Sequence, residues 1–224
     1  MIPWKQLASA KVPGEGGVLC LHQRGHEFSV RVDRAELMNS RAHGSEEALA
    51  DLACTRIHNR PQARVLIGGL GMGFTLAAAL KQLKPDAQLV VAELVPEVVA
   101  WNRTFLADLA GRPLDDPRVE VREQDVAEVL RSEKRAYDAV LLDVDNGPEG
   151  LTHEGNDWLY GRAGLASIKA ALRPMSVLGV WSAKPDAGFR TGLAKAGFKV
   201  EEHTVKARGD RGGPRHTIWL AARG

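Results

Sequence analysis

The stretch Val65-Leu66-Ile67-Gly68-Gly69-Leu70-Gly71-Met72-Gly73-Phe74-Thr75-Leu76 decides the fold. It opens as an apolar strand-like run, and apolar residues then recur at helical spacing to about residue 84. Gly69, Gly71 and Gly73 stand between the two patterns. Glycines so placed serve a strand-to-helix turn that needs positive φ, and they let a ligand approach the backbone closely. The helix start that follows offers free N–H groups to an anion. Taken alone, the segment is equally a tight turn without a ligand.

Spacing sharpens the reading. Glu93 ends the next apolar run, Gln88–Glu93, about twenty residues past Gly73, where a carboxylate can accept both hydroxyls of a ribose. A dinucleotide fingerprint fits poorly, because position 74 is Phe rather than Gly or Ala. The glycine form favours an adenosyl sulfonium over a nicotinamide dinucleotide.

Outward from this unit, strand-like runs at 64–68, 88–93, 118–122, 137–143 and 177–182 alternate with helical patterns at 69–84, 97–105, 126–133, 161–172 and 187–196. Such alternation predicts a mostly parallel sheet with right-handed crossovers. Runs at 199–205 and 217–222 follow with only a loop between them. They predict an antiparallel hairpin at one edge and a total of seven strands, an α/β Rossmann-like arrangement of the class I methyltransferase type. Before the core, runs at 17–21 and 27–32 read as a hairpin. Ser45 reads as the cap of a helix reaching Ile57, with Glu46 and Glu47 in its first turn. The expected division is a small β-rich appendage over 1–44 and a Rossmann-like domain over 45–224.

Composition narrows the classes. A length of 224 residues with 44% hydrophobic content supports one sizeable core. A net charge of +2 demands neither nucleic acid nor an anionic membrane. The basic loop KARGDRGGPR at 206–215 reads as a solvated turn rather than an RNA contact. No run approaches the roughly 20 apolar residues of a membrane span, and MIPWKQLASAK lacks the core of a signal peptide. A cytoplasmic protein is expected. Cys20 and Cys54 read as reduced, and the seven scattered histidines show no ligand spacing, so no metal is expected.

On four stretches the chain resembles the spermidine synthase family. They are the glycine segment with Thr75-Leu76, Glu93 with Pro96-Glu97-Val98-Val99, Asp116-Pro117-Arg118-Val119-Glu120-Val121 leading to Asp125, and Tyr137-Asp138 through Asp143 to Gly150-Leu151. The resemblance implies that Gly69, Gly71 and Gly73 hold an S-adenosyl donor, Glu93 its ribose and Asp125 its adenine. Asp143 would then orient or deprotonate the attacking amine. It also implies a homodimer. Residues 39–46, with Asn39, Arg41, His43, Ser45 and Glu46, lie where that family closes its pocket.

Two departures bear on the reaction. The family carries an aspartate between its glycines, which pairs with the ammonium of decarboxylated S-adenosylmethionine, and here that position is Met72. Without the acid, the carboxylate-bearing S-adenosylmethionine is no longer repelled, which favours methyl transfer. The segment after Asp143 (Val144-Asp145-Asn146-Gly147-Pro148) also differs from the family form. From 143 to 157 the chain holds five acids, Asp143, Asp145, Glu149, Glu154 and Asp157, and no Lys or Arg. A wall of negative potential of that kind attracts a small amine or other cation. Asp143 and Asp145 are the expected catalytic acids, with Glu149, Trp158 and Tyr160 lining the acceptor. The expectation is therefore a methyltransferase acting on a small cationic substrate. The alternatives are an aminopropyltransferase using the decarboxylated donor and a nucleoside-binding protein without turnover.

Overall fold

In the computed structural model, which describes residues 2–13, 17–33, 35–144 and 155–224, with side chains of the last segment from 158 onward, the central strand is β8 (Tyr137–Leu142). Every one of its residues is buried, as in a parallel sheet covered on both faces. It pairs in parallel with β5 (Arg64–Gly68) and with β9 (Leu172–Ser182). Beyond β5 follow β6 (Gln88–Glu93) and β7 (Val119–Glu123), both parallel. On the other side, β11 (Arg215–Ala222) runs antiparallel to β9, and β10 (Lys199–Lys206) antiparallel to β11. The order is β10-β11-β9-β8-β5-β6-β7. The mostly parallel seven-stranded sheet expected from the alternation is present, and so is its closing antiparallel hairpin at one edge. β11 inserts between β9 and β10, leaving β10 as the edge strand.

Helices cover both faces. On one lie α1 (Gly44–Cys54), α2 (Phe74–Gln82) and α3 (Pro96–Arg103), whose apolar residues share a cluster with Val65, Ile67, Leu89 and Leu141. On the other lie α4 (Val126–Ser132), α6 (Arg162–Ala171) and α7 (Ala187–Lys195), packed with Leu66, Val140 and Leu178. Between β8 and α6 runs the short α5 (Gly155–Tyr160). The split follows from the period-2 alternation of side chains along each strand. α1 lies close on the sheet because Gly179 of β9 has no side chain. A Cβ there would stand 2.9 Å from Cδ1 of Leu49.

Ahead of α1 the expected hairpin is present as β2 (Val18–Arg24) and β3 (Glu27–Val32), flanked by two further strands, β1 (Lys5–Lys11) and β4 (Ala35–Asn39), in an antiparallel sheet of order β1-β2-β3-β4. Leu19, Leu21 and Val30 of this sheet join the same cluster as Leu49 and Phe74. Ser45 is not the cap of α1. That position falls to His43 without a side-chain hydrogen bond, and the Ser45 hydroxyl lies 2.8 Å from Nδ1 of His216 on β11. Burial of Ser45 against the sheet explains the difference, since its oxygen finds a tertiary partner. Among the described residues no helix is long and apolar enough to cross a membrane. Cys20 and Cys54 are both free, and burial pushes the Cys54 thiol up to about 12.

One polar residue interrupts the apolar run of β8. Asp138 is 3% exposed and accepts from Arg60 Nη1 at 2.7 Å, Arg173 Nη1 at 2.7 Å and the Arg64 backbone N–H at 2.8 Å. It sits at the end of the strand opposite Asp143 and ties β5, β8 and the start of β9 together. Asp138→Ala removes the acceptor from a buried N–H and two guanidinium groups. We expect a loss of about 2–4 kcal/mol in urea denaturation, since both arginines can turn partly to water. An unchanged denaturation midpoint would refute this role.

Candidate functional site

Register places the candidate residues side by side. Gly68 of β5 pairs with Ala92 of β6 and Leu142 of β8, and Glu93 pairs with Glu123 of β7. Gly69, Glu93 and Asp143 therefore leave the sheet at one level, at the carboxyl ends of adjacent strands. There the crossovers from β5 and β8 diverge to opposite faces, which is the binding crevice of an open α/β sheet. The ends are stitched by the Gly69 N–H donating to Ala92 O and the Asp143 N–H donating to Gly68 O, each at 2.9 Å.

All three loop glycines take positive φ: 88° at Gly69, 52° at Gly71 and 84° at Gly73. Gly69 is the most constrained, because a Cβ on it would lie 2.4 Å from the Asp143 carbonyl oxygen. Glu93 is buried and shapes the loop. Its Oε2 accepts from the Leu70 N–H and its Oε1 from the Val95 N–H, both at 2.9 Å. Asn102 of α3 donates to the Gly71 carbonyl at 2.9 Å, and Met38 of β4 reaches over Gly71. The Met72 side chain points into the core and is 3% exposed. Asp125 is the N-cap of α4, with Oδ1 accepting from the Ala127 N–H at 2.8 Å, so its second oxygen is left for another donor.

Asp143 meets Thr75 and Glu46. The Thr75 hydroxyl, in the first turn of α2, donates to Asp143 Oδ2 at 2.6 Å and lies 3.4 Å from the backbone carbonyl of Glu46. Burial raises the Asp143 carboxyl to about 6, opposed by the Thr75 hydrogen bond. Burial also raises Glu46 well above the usual carboxylate range, and repulsion from Asp143 and Glu47 adds to it. Oε2 of Glu46 is buried with no hydrogen-bond donor among the described residues. No described cation acts on either acid. Beside them His43 stacks on Phe74 at 4.2 Å, and Trp181, at the end of β9, packs edge-on against His216 at 4.7 Å.

The structure thus brings Gly69, Gly71, Gly73, Glu93 and Asp143 together, with Asp125 two residues beyond the end of β7. Asp145 and Glu149 lie outside the described residues. Trp158 and Tyr160, read as acceptor walls, are placed instead as packing residues on the α4–α7 face. The Arg131 guanidinium lies 3.8 Å over the Trp158 ring, and Tyr160 packs edge-on against Phe189 at 5.5 Å. The role of Thr75 had a sequence signal, a hydroxyl two residues past the last loop glycine. Glu46 was visible as an acid in a first helical turn and as one of the residues where the resembled family closes its pocket, whereas Trp181 carried no signal, because its neighbour His216 depends on the pairing of β11 with β9.

Comparison with known proteins gives the family. Residues 42–185 match the spermine/spermidine synthase domain. Over 127 residues the chain is 32% identical to polyamine aminopropyltransferase 2 of Pseudomonas aeruginosa, covering 55% of this chain and 34% of that protein. Over 141 residues it is 30% identical to polyamine aminopropyltransferase 1 of Hyperthermus butylicus, covering 61% and 46%. The chain therefore spans between a third and a half of the length of these relatives. In fold it is similar to spermidine synthase from Thermotoga maritima, with a TM-score of 0.78 at 19% identity over 98% of this chain and 73% of that one.

These relatives overturn the preference for methyl transfer, and with it S-adenosyl-L-methionine as the favoured donor. That preference weighed the missing charge at position 72 and the altered segment after Asp143, whereas the buried carboxylates at the site come from α1 and the end of β8. The match over residues 42–185, well over half of the chain, makes this protein a member of the spermine/spermidine synthase family.

Proposed function

We propose that this chain transfers an aminopropyl group from decarboxylated S-adenosylmethionine to a small amine. The observation that carries the reading is a buried acidic pair, Asp143 and Glu46, with no cation beside it among the described residues, at the switch point of the sheet. Buried carboxylates without a partner are costly, and an ammonium from outside would relieve that cost. The relatives named polyamine aminopropyltransferases support the same chemistry.

The donor's shape fits the order of the strands. Asp125 follows β7, Glu93 ends β6, the glycines follow β5 and Asp143 follows β8. Three strand spacings of about 4.8 Å place these groups along a line of about 14 Å. In our reading Asp125 takes the adenine amino group and Glu93 the ribose hydroxyls. The sulfonium lies against the glycine loop. The three-carbon chain then points towards Asp143 and α1. Ionised at neutral pH, Asp143 accepts a hydrogen bond from the attacking amine, orients its lone pair and receives its proton. A new N–C bond forms to the aminopropyl carbon as that carbon's bond to sulfur breaks. The electron pair stays on sulfur and leaves neutral 5′-methylthioadenosine. Because the sulfonium is already a good leaving group, most of the rate comes from holding amine and carbon in line.

The test is incubation with decarboxylated S-adenosylmethionine and a diamine, followed by mass spectrometry. An acceptor heavier by one aminopropyl group, with an equal amount of 5′-methylthioadenosine, is expected. No product under saturating substrates, or a methylated acceptor from S-adenosylmethionine, would overturn the proposal.

A further inference from the structure

We infer that Glu46 is the residue that selects a donor ending in a bare ammonium, supplying from α1 the negative charge that Met72 does not supply from the glycine loop. The inference rests on the aminopropyl-transfer reading above. Three observations carry it. Met72 is turned into the core and leaves the loop without a charged group. Glu46 is held at the site, since Thr75, two residues past Gly73, touches both the Glu46 backbone carbonyl and the Asp143 carboxylate. Oε2 of Glu46 is shielded from water and has no donor among the described residues. A buried acceptor in that state calls for a donor.

The chemistry of that partner follows from its surroundings. Glu46 faces the repulsion of Asp143 and Glu47, so a neutral donor would leave the repulsion in place and an anion would worsen it. A primary ammonium offers three N–H donors and a positive charge. With the nucleoside held at Glu93 and Asp125, the end of the donor chain reaches the ends of β8 and α1, where Glu46 stands. S-adenosylmethionine carries the same sulfonium but adds a carboxylate at that end of its chain, which two acids repel. Selection therefore follows from charge at Glu46, without a change in the loop.

The experiment is calorimetric titration of the whole chain with decarboxylated S-adenosylmethionine and, separately, with S-adenosylmethionine, for the wild type, Glu46→Gln and Glu47→Gln. Glu46→Gln keeps the size and removes the charge, and thermal melting checks that it remains folded. The wild type is expected to prefer the decarboxylated donor. Glu46→Gln should narrow that preference about tenfold or more, the scale of one close charge pair in a partly shielded site. Glu47, more exposed and 3.2 Å from His43 Nδ1, should leave the preference intact when changed to Gln. If the wild type prefers the decarboxylated donor and Glu46→Gln retains the full preference, Glu46 is not the selector while the transfer reading stands. If the wild type binds neither donor, or prefers S-adenosylmethionine, the transfer reading itself fails and takes the inference with it.

Discussion

Gly69→Ala should cost at least about 3 kcal/mol in stability and weaken donor binding by about a hundredfold or more. Two effects add. At φ 88° a side chain strains the backbone by about 1–2 kcal/mol. The new Cβ would also lie 2.4 Å from the Asp143 carbonyl oxygen, a backbone atom that cannot rotate away. Relief requires the ends of β5 and β8 to part, which disturbs the Gly69 N–H bond to Ala92 and the Asp143 N–H bond to Gly68 together. Gly111→Ala separates the two effects. It has φ 78° but open space around the missing Cβ, so it should show strain alone, about 1 kcal/mol. Urea denaturation and donor titration measure both variants. Equal losses in the two would show that close approach at Gly69 contributes nothing.

Asp143→Asn should nearly abolish transfer and at the same time stabilise the protein above neutral pH. The loss in rate is expected at about 10²–10⁴-fold, the usual contribution of a positioned general base. The gain in stability follows from the raised carboxyl. Folding lifts Asp143 to about 6 from 3.8, so the native state favours its neutral form. That contribution is fully present below about pH 4 and is lost as pH rises through 6. Roughly two pH units correspond to about 3 kcal/mol as an upper bound. Asparagine has no charge to bury, and its amide oxygen can still accept from Thr75. The variant should therefore melt higher at pH 8, by about 1–3 kcal/mol, with the difference vanishing near pH 4. Wild-type activity should rise with pH through a step near 6. A variant that stays active, or is less stable than wild type at pH 8, would remove Asp143 from the role assigned to it.

The elements legible in the sequence share a physical character. β5, β6 and β8 are buried on both faces, so their residues must be apolar almost without break, and such runs stand out between helical spacings. Pro96 marked the start of α3 because its missing N–H is no loss at a first helical position. The glycines and Glu93 were legible because a tight turn and a strand-end acid at fixed spacing come from one local unit. β1 (KQLASAK) and β4 (AELMN) passed unnoticed, since they are short, partly exposed and without strict alternation. β9 starts at Leu172 rather than near 177, passing Pro174 and Met175, the latter at φ 58°. A proline after a helical pattern reads as a stop, but nothing local shows that pairing resumes at once.

The amino-acid sequence by itself determined the parallel α/β class, the glycine turn, the acid that ends β6 and the acid that follows β8. Each is written in a short window, where apolar periodicity or a required backbone angle permits few alternatives. Only the tertiary structure decided the insertion of β11 between β9 and β10, the engagement of Ser45 with His216 and the packing of Trp158 and Tyr160 against the α4–α7 face. It alone brought Glu46 to Asp143 through Thr75. Those outcomes depend on which distant segments lie side by side, and burial acts on neighbours in space. Two acids far apart in the chain say nothing of each other until folding removes the water between them.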